Sequence, residues 1–202
     1  MPVTSSQSQA EVTSTVVEIL FADLLSLEEV KSSALPPVNL WNPPLSGTMD
    51  LIIDREGRWI HEGNPILREA IVRLFSSILK TEDRQFFLVS PVEKWLIEVE
   101  VAPFYITSVS RDIRGSDQAI SCETSTGENI VIGSNHPLTL AEQHKTGEIL
   151  PLVEIRQGLK GFFSRSTYYQ LVEWCHIDGA ENDQQLFITS MGQRFSLGSL
   201  AE

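Results

Sequence analysis

Read as a succession of apolar and polar positions, the chain passes through one series of elements twice, the second copy about 100 residues after the first. Met49 to Ile53 and Arg58 to Glu62 alternate with the period of two that marks a half-buried strand. Asp54-Arg55-Glu56-Gly57 between them predicts a hairpin turn in which Gly57 takes positive φ without steric penalty. Pro65 to Lys80 is amphipathic, with Ile66, Ile71, Leu74, Phe75, Ile78 and Leu79 on one stripe. That spacing predicts a helix, capped by Asn64 and with Pro65 at its first position. Phe86 to Val89 and Lys94 to Val99 then predict a hairpin turning through Ser90-Pro91-Val92-Glu93. The second copy runs Val153 to Phe163 (hairpin), Ser166 to Ile177 (helix) and Gln185 to Leu197 (hairpin). Its helical stripe is Tyr168, Leu171, Val172 and Cys175, and its cap is Ser164 or Ser166. In the closing segments Phe87, Ser90, Lys94 and Trp95 stand opposite Phe187, Ser190, Arg194 and Phe195.

Between the copies the pattern predicts strands at Tyr105 to Ser110, Ala119 to Glu123 and Asn129 to Ile132, with a turn at Ser125-Thr126-Gly127. Gly133 to Glu148 reads as a polar loop carrying His136-Pro137. Before the first copy, Met1 to Ala10 is a Ser- and Gln-rich stretch expected to be disordered. Residues 11 to 31 predict an amphipathic helix on Val12, Val16, Ile19, Leu20, Leu24 and Val30. Residues 35 to 45 hold four prolines, which fix φ and remove donors, so this stretch is expected to be an extended arm anchored by Trp41. The fold class that follows is α+β, an internal duplication of a β-hairpin–helix–β-hairpin unit with antiparallel sheets. Its expected organisation is a start and N-terminal helix over 1–33, a Pro-rich arm with the first repeat as an α/β roll over 34–100, and a β-rich middle with the second repeat over 101–202.

Composition narrows the function classes. The net charge of −12 comes from 15 basic and 27 acidic residues, a balance that repels phosphate polymers and argues against a nucleic-acid partner. The excess is uneven: residues 55 to 94 hold seven basic and six acidic side chains, whereas residues 95 to 154 hold three and nine. A small anion could therefore find a local basic site in the first copy. Neither a membrane span nor a secretory signal is present, which predicts a cytoplasmic protein with no membrane partner and with Cys122 and Cys175 reduced.

Motifs that would announce catalysis are missing. His61-Glu62 is half of a zinc-protease motif, but the second ligand position is Pro65, so no metal site is expected, and no cofactor. Cys175-His176 places a thiol and an imidazole side by side in sequence, where two helical neighbours point about 100° apart and do not face each other. There is no nucleophile elbow, phosphate-binding loop or dinucleotide fingerprint. The residues that do suggest a ligand are Arg58, Trp59, His61, Glu62, Arg68, Glu93, Lys94 and Trp95. Arg68 would lie in the first turn of the Asn64-capped helix, where backbone N–H groups favour an anion. Arg58 or Lys94 would add charge, and a tryptophan would add a face for a base. The same residues fit a plain structural account, with Trp59 and Trp95 in the core and Arg68–Glu93 and Glu62–Lys94 as surface ion pairs.

Four stretches carry a resemblance: Leu35-Pro-Pro-Val-Asn-Leu-Trp-Asn-Pro-Pro44, Trp59-Ile-His-Glu-Gly-Asn-Pro-Ile66, Leu74-Phe-Ser76 and Leu88-Val-Ser-Pro-Val-Glu-Lys94. Together they resemble a proteobacterial family, domain-of-unknown-function family 1285, over roughly residues 35 to 200. This chain has Ser90 where that family usually has Thr. The resemblance implies a duplicated α+β core, a second half similar to pleckstrin-homology-type barrels, and a site between the halves for a nucleotide-like ligand in signalling.

Three readings of function follow. The first is a non-catalytic module that binds a small, nucleotide-like anion between the repeats. The second is an adaptor that docks a protein partner through residues 11 to 31 and the acidic middle third. The third, least supported, is a hydrolase using Glu62 or Glu93 with His61, for which no nucleophile, metal or oriented base comes together.

Overall fold

A computed structural model of the chain describes residues 35–115, 117–143, 147–178 and 184–200. The disordered start expected over 1 to 10 and the helix expected over 11 to 31, one of the two parts of the expected adaptor surface, lie outside these residues. The chain divides into two compact units, residues 1–52 with 60–98 and residues 53–59 with 99–202.

In unit 1 the sheet order is β3-β2-β1-β6-β5-β4, from β1 (Leu45–Ile53), β2 (Trp59–His61), β3 (Asn64–Pro65), β4 (Leu79–Glu82), β5 (Gln85–Val89) and β6 (Lys94–Val99). Its helix is α1 (Glu69–Ser77). β5, between β6 and the edge strand β4, buries Phe87, Leu88 and Val89 in succession, so both of its faces are covered. On the Phe87 and Val89 face lies the proline-rich arm. A 3-10 turn at Val38–Leu40 drops Val38 to 3% exposure against those two side chains, and Trp41 and Leu96 pack around them. Burying side chains of that size contributes about 1.5–3 kcal/mol each. The arm is anchored as expected, but Val38 is its deepest residue and Trp41 only half-buried.

Unit 2 holds a six-stranded sheet in the order β10-β11-β12-β7-β8-β9 and a three-stranded sheet β13-β14-β15. The strands are β7 (Phe104–Arg114), β8 (Asp117–Thr124), β9 (Asn129–Val131), β10 (Leu138–Glu142), β11 (Ile149–Arg156), β12 (Leu159–Phe163), β13 (His176–Asp178), β14 (Gln184–Ser190) and β15 (Gln193–Leu200), with α2 (Arg165–Glu173) between β12 and β13. β14 is stitched to β8 by the Met191 N–H to the Gln118 carbonyl at 2.7 Å and by the Ser190 hydroxyl accepting from the Ile120 N–H at 3.0 Å. Ser190 also donates to the Ile132 carbonyl at 2.6 Å and is fully buried, so one hydroxyl joins the two sheets. The result is a half-barrel. At the N-terminus of α2 the Ser164 hydroxyl accepts from the Thr167 N–H, which decides between the two expected caps.

The repeat-like layout is present: a hairpin (β1–β2, β11–β12), a helix (α1, α2), then three strands (β4–β6, β13–β15). Several expectations need correction. The sheets are mixed and not purely antiparallel, because β12 pairs with β7 in parallel through Gly161↔Phe104, Phe162↔Tyr105 and Phe163↔Ile106. Asn64 and Pro65 are not a helix start. They form β3, paired to β2 through His61↔Asn64, and α1 begins four residues later. Both helices are shorter than expected, and the residues after them become β4 and β13. The polar loop expected after Gly133 contains β10, which pairs with β11 from Leu138↔Val153 to Glu142↔Ile149.

Candidate functional site

The structure spreads the eight candidate residues over several surroundings. Arg58 falls in unit 2, where its guanidinium binds Asp54 at 2.7 Å and Glu56 at 3.1 Å. Asp54, 5% exposed, also accepts from the Glu56 and Arg58 N–H groups. Burial pushes the Asp54 carboxyl up, but the hydrogen bonds from Arg58 and Glu56 outweigh it and hold it below the usual carboxylate range. Arg58 thus locks its own turn. Trp59 is core, at 2% exposure.

His61 has Nδ1 2.7 Å from the Asp50 carbonyl, and since a carbonyl only accepts, Nδ1 carries the proton. Glu62 sits exposed in the β2–β3 turn at φ 49°. Arg68 is the N-cap residue of α1, not a member of its first turn, and its side chain makes no cap bond. Glu69 occupies that first turn, so the dipole end already has its negative charge. Neither expected ion pair forms as drawn: Glu93 accepts from the Trp95 indole at 3.2 Å, and Lys94 binds Glu82.

Lys94 leads to the group that the candidate set had missed. On β4 and β6, Lys80, Glu82 and Lys94 share the sheet face of Phe87. The Glu82 carboxylate holds Lys80 at 2.9 Å through Oε1 and Lys94 at 2.8 Å through Oε2. Lys80 also donates to the Trp41 carbonyl at 2.8 Å, and the Lys94 ammonium lies 5.0 Å from the centre of the Phe87 ring. The two lysine side chains are 18% and 15% exposed. Hydrogen bonds from Lys94 and then Lys80 hold the Glu82 carboxyl below its usual range. Two ammonium groups on one carboxylate leave one positive charge uncompensated, at a half-buried place beside aromatic surface. Trp95, on the same strand as Lys94, alternates to the opposite face and lies against Gly47. The sequence signal for this group was the alternation of Lys80 and Glu82, hidden because Ile78 and Leu79 complete the helical stripe before it.

The β4–β5 turn beside this group is also unusual. Four two-residue hairpin loops have both central residues at positive φ: Glu62-Gly63, Asp83-Arg84, Gln157-Gly158 and Met191-Gly192. Such turns favour glycine, and three have it at the second position. Arg84 stands there instead at φ 65°, a left-handed conformation that costs an ordinary residue about 1 kcal/mol. Its side chain is exposed and makes no hydrogen bond, ion pair or ring contact among the described residues.

Unit 2 has a buried polar group of its own, and its members pair with one another. Glu128 accepts from Thr124 Oγ1 at 2.5 Å, from Thr126 Oγ1 and from Arg156 at 2.9 Å, and Arg156 lies over the Phe104 ring. Burial raises the Glu128 carboxyl, but these three donors prevail and lower it. Burial pushes the Cys122 thiol up to about 12 and the Cys175 thiol to about 11. Cys175 follows α2 rather than lying in it, and its Sγ donates to the Leu171 carbonyl at 3.4 Å, so nothing activates it toward His176. A depression of about 520 Å³ between the β7–β8 and β14–β15 hairpin tips is lined by Asp112, Asp117, Gln118, Ala119, Met191 and Gly192, so its ionisable groups are two carboxylates. Among the described residues no three His, Cys, Asp or Glu side chains converge as metal ligands, and no helix is long and apolar enough to cross a membrane.

The fold and these groups define an α+β protein of two units in repeat-like layout. Residues 36–102 match the N-terminal domain model of the family DUF1285, a domain of unknown function, and residues 103–197 match its C-terminal domain model. The chain is similar to a crystal structure of a DUF1285 family protein from Silicibacter pomeroyi DSS-3, with 39% identity, a TM-score of 0.76, and coverage of 88% of this chain and 95% of that one. A second DUF1285 protein, from Shewanella baltica OS155, matches at 27% identity and a TM-score of 0.49 over 62% of this chain and 91% of that one. No curated protein matches. The chain belongs to the DUF1285 family.

Proposed function

We propose that this chain is a non-catalytic binding module for a small, nucleotide-like anion, and that Lys80 and Lys94 hold the anionic part. The observation that carries this reading is the sharing of one carboxylate, Glu82, by two half-buried lysines next to Phe87 and Trp41. In a chain of net charge −12 that surplus positive charge is unusual, and it is partly shielded from solvent, where an ammonium–phosphate contact is stronger than at an open surface. Each ammonium keeps a donor beyond those its present partners use. The paired state of the buried polar group in unit 2, and the high thiol pKa values, favour binding over catalysis. We read the twofold layout as an internal duplication and the half-barrel of unit 2 as related to pleckstrin-homology-type barrels, which suits a sensing role in signalling.

The test is thermal denaturation of the full chain with mono-, di- and triphosphates of the four common nucleosides. A class of nucleotides should raise the melting temperature while the free nucleosides do not. Lys94→Met, which keeps the packed stem, should abolish the rise while shifting the unliganded melting temperature by no more than a few degrees. If no nucleotide in the panel raises the melting temperature, the reading is wrong.

A further inference from the structure

We infer that Arg84 is a ligand residue, held in a strained turn to present its guanidinium to the phosphate of the bound anion; this rests on the anion-binding reading above. The argument starts from the backbone. Among the four hairpin loops compared above, the β4–β5 turn alone places a side chain at the second positive-φ position, where glycine is strain-free. Strain of this kind persists where the surroundings or a function maintain it. The β4–β5 register imposes the φ, but it does not call for an arginine, and the Arg84 side chain has no hydrogen bond, ion pair or ring contact among the described residues. What remains is its position.

Arg84 is two residues along the chain from Glu82, and the register Glu82↔Gln85 and Lys80↔Phe87 puts it at the end of the hairpin whose face carries Lys80, Glu82 and Phe87. Lys94 reaches toward that end to meet Glu82. Asp83 shares the turn, and Glu98, two residues past Leu96 on β6, lies on the same face, so the six charges of Lys80, Glu82, Asp83, Arg84, Lys94 and Glu98 sum to zero. Without Arg84 the sum would be −1. The guanidinium therefore offsets the carboxylates that would otherwise repel an anion from this end of the sheet. Its planar fork suits two oxygens of one phosphate, whereas a lysine offers a point charge. The ligand class is a phosphoanion, with its phosphate at the hairpin tip.

The strain makes the role testable, because ligand binding and unliganded stability should move in opposite directions. Isothermal titration with ADP and with inorganic pyrophosphate is to be run on the wild-type chain, Arg84→Gly and Arg84→Gln. Arg84→Gly should raise the unliganded melting temperature by about 2–4 °C, by removing the strain, yet weaken both ligands about tenfold. Arg84→Gln keeps a Cβ and so the strain; it should weaken both ligands similarly with little change in melting temperature. If the wild type binds ADP and both variants bind it equally well, the assignment of Arg84 is overturned while the anion-binding reading stands. If the wild type binds neither probe, that reading falls and the role of Arg84 falls with it.

Discussion

The Lys94 ammonium lies 5.0 Å from the centre of the Phe87 ring. In unit 2 the same relationship recurs between Arg194 and Phe187, at 3.8 Å, and there too a carboxylate completes it, Asp178 at 2.7 Å in place of Glu82. The Lys94 side chain is far less exposed than that of Arg194, 15% against 49%, so water screens its contact less. A double-mutant cycle of Lys94→Met and Phe87→Leu should therefore give a coupling of about 0.5–1 kcal/mol by chemical denaturation. A coupling of zero would mean that the ring contributes shape alone.

Ser90 and Ser190 are equivalent by sequence and unequal by structure. Ser90 is buried too, but it accepts from the Val92 and Glu93 N–H groups within its own turn, whose Val92 is exposed. Ser190 bridges a buried N–H and a buried carbonyl. Ser190→Ala should destabilise by about 1–3 kcal/mol, because both backbone groups lose a partner in the interior, and Ser90→Ala by under about 1 kcal/mol. Equal losses in urea denaturation would contradict the role of Ser190 as the link between sheets.

Gly57 and Gly63 both adopt φ 73°, but only Gly57 faces an obstacle: a Cβ there would collide with Cβ of Tyr105 and stand 2.6 Å from its Cγ. Because the collision involves an atom fixed to the backbone, no rotamer relieves it. Gly57→Ala should cost more than about 3 kcal/mol, whereas Gly63→Ala, with nothing within 4 Å, should cost only the left-handed penalty of about 1 kcal/mol. Melting temperatures of the two variants decide this.

Glu128 gives the protein an acid-sensitive lock. Its pKa is lowered on folding, so the stability it contributes is fully present above the unfolded-state glutamate value, about 4.3, and is lost as pH falls through the lower folded value. Wild-type stability should therefore decline in that window. Glu128→Gln should be less stable at neutral pH and should show a shallower decline, measured as denaturation midpoints from pH 7 to pH 3. Parallel curves for the two proteins would show that Glu128 does not supply the pH dependence.

Much of the layout was legible because it depends on local period. The repeat-like layout, the arm and the hairpin through Ser90 to Glu93 all follow from alternation, proline content and apolar stripes, whereas Trp59, a ligand candidate by sequence, is core. The misses share one cause. Asn64-Pro65 is a sound helix start in isolation, but Glu62-Gly63 folds Asn64 back onto His61 and the strand pairing wins. Ile78 and Leu79 satisfy a helical stripe, but Ile78 ends α1 as its C-cap and the Leu79↔Leu88 pairing draws Leu79 into β4. β10 is weakly apolar and is a strand because β11 lends it an edge.

Spacing and composition alone identify which residues recur, which segments are amphipathic and that the first copy carries the basic charge. Tertiary structure decided which charges meet. Lys94 pairs with Glu82 rather than Glu62 because β4 and β6 flank β5 on one sheet and place their side chains on a common face, 12 residues apart in the chain. A period of two places a side chain on a face of its strand; only the order of strands supplies its neighbour.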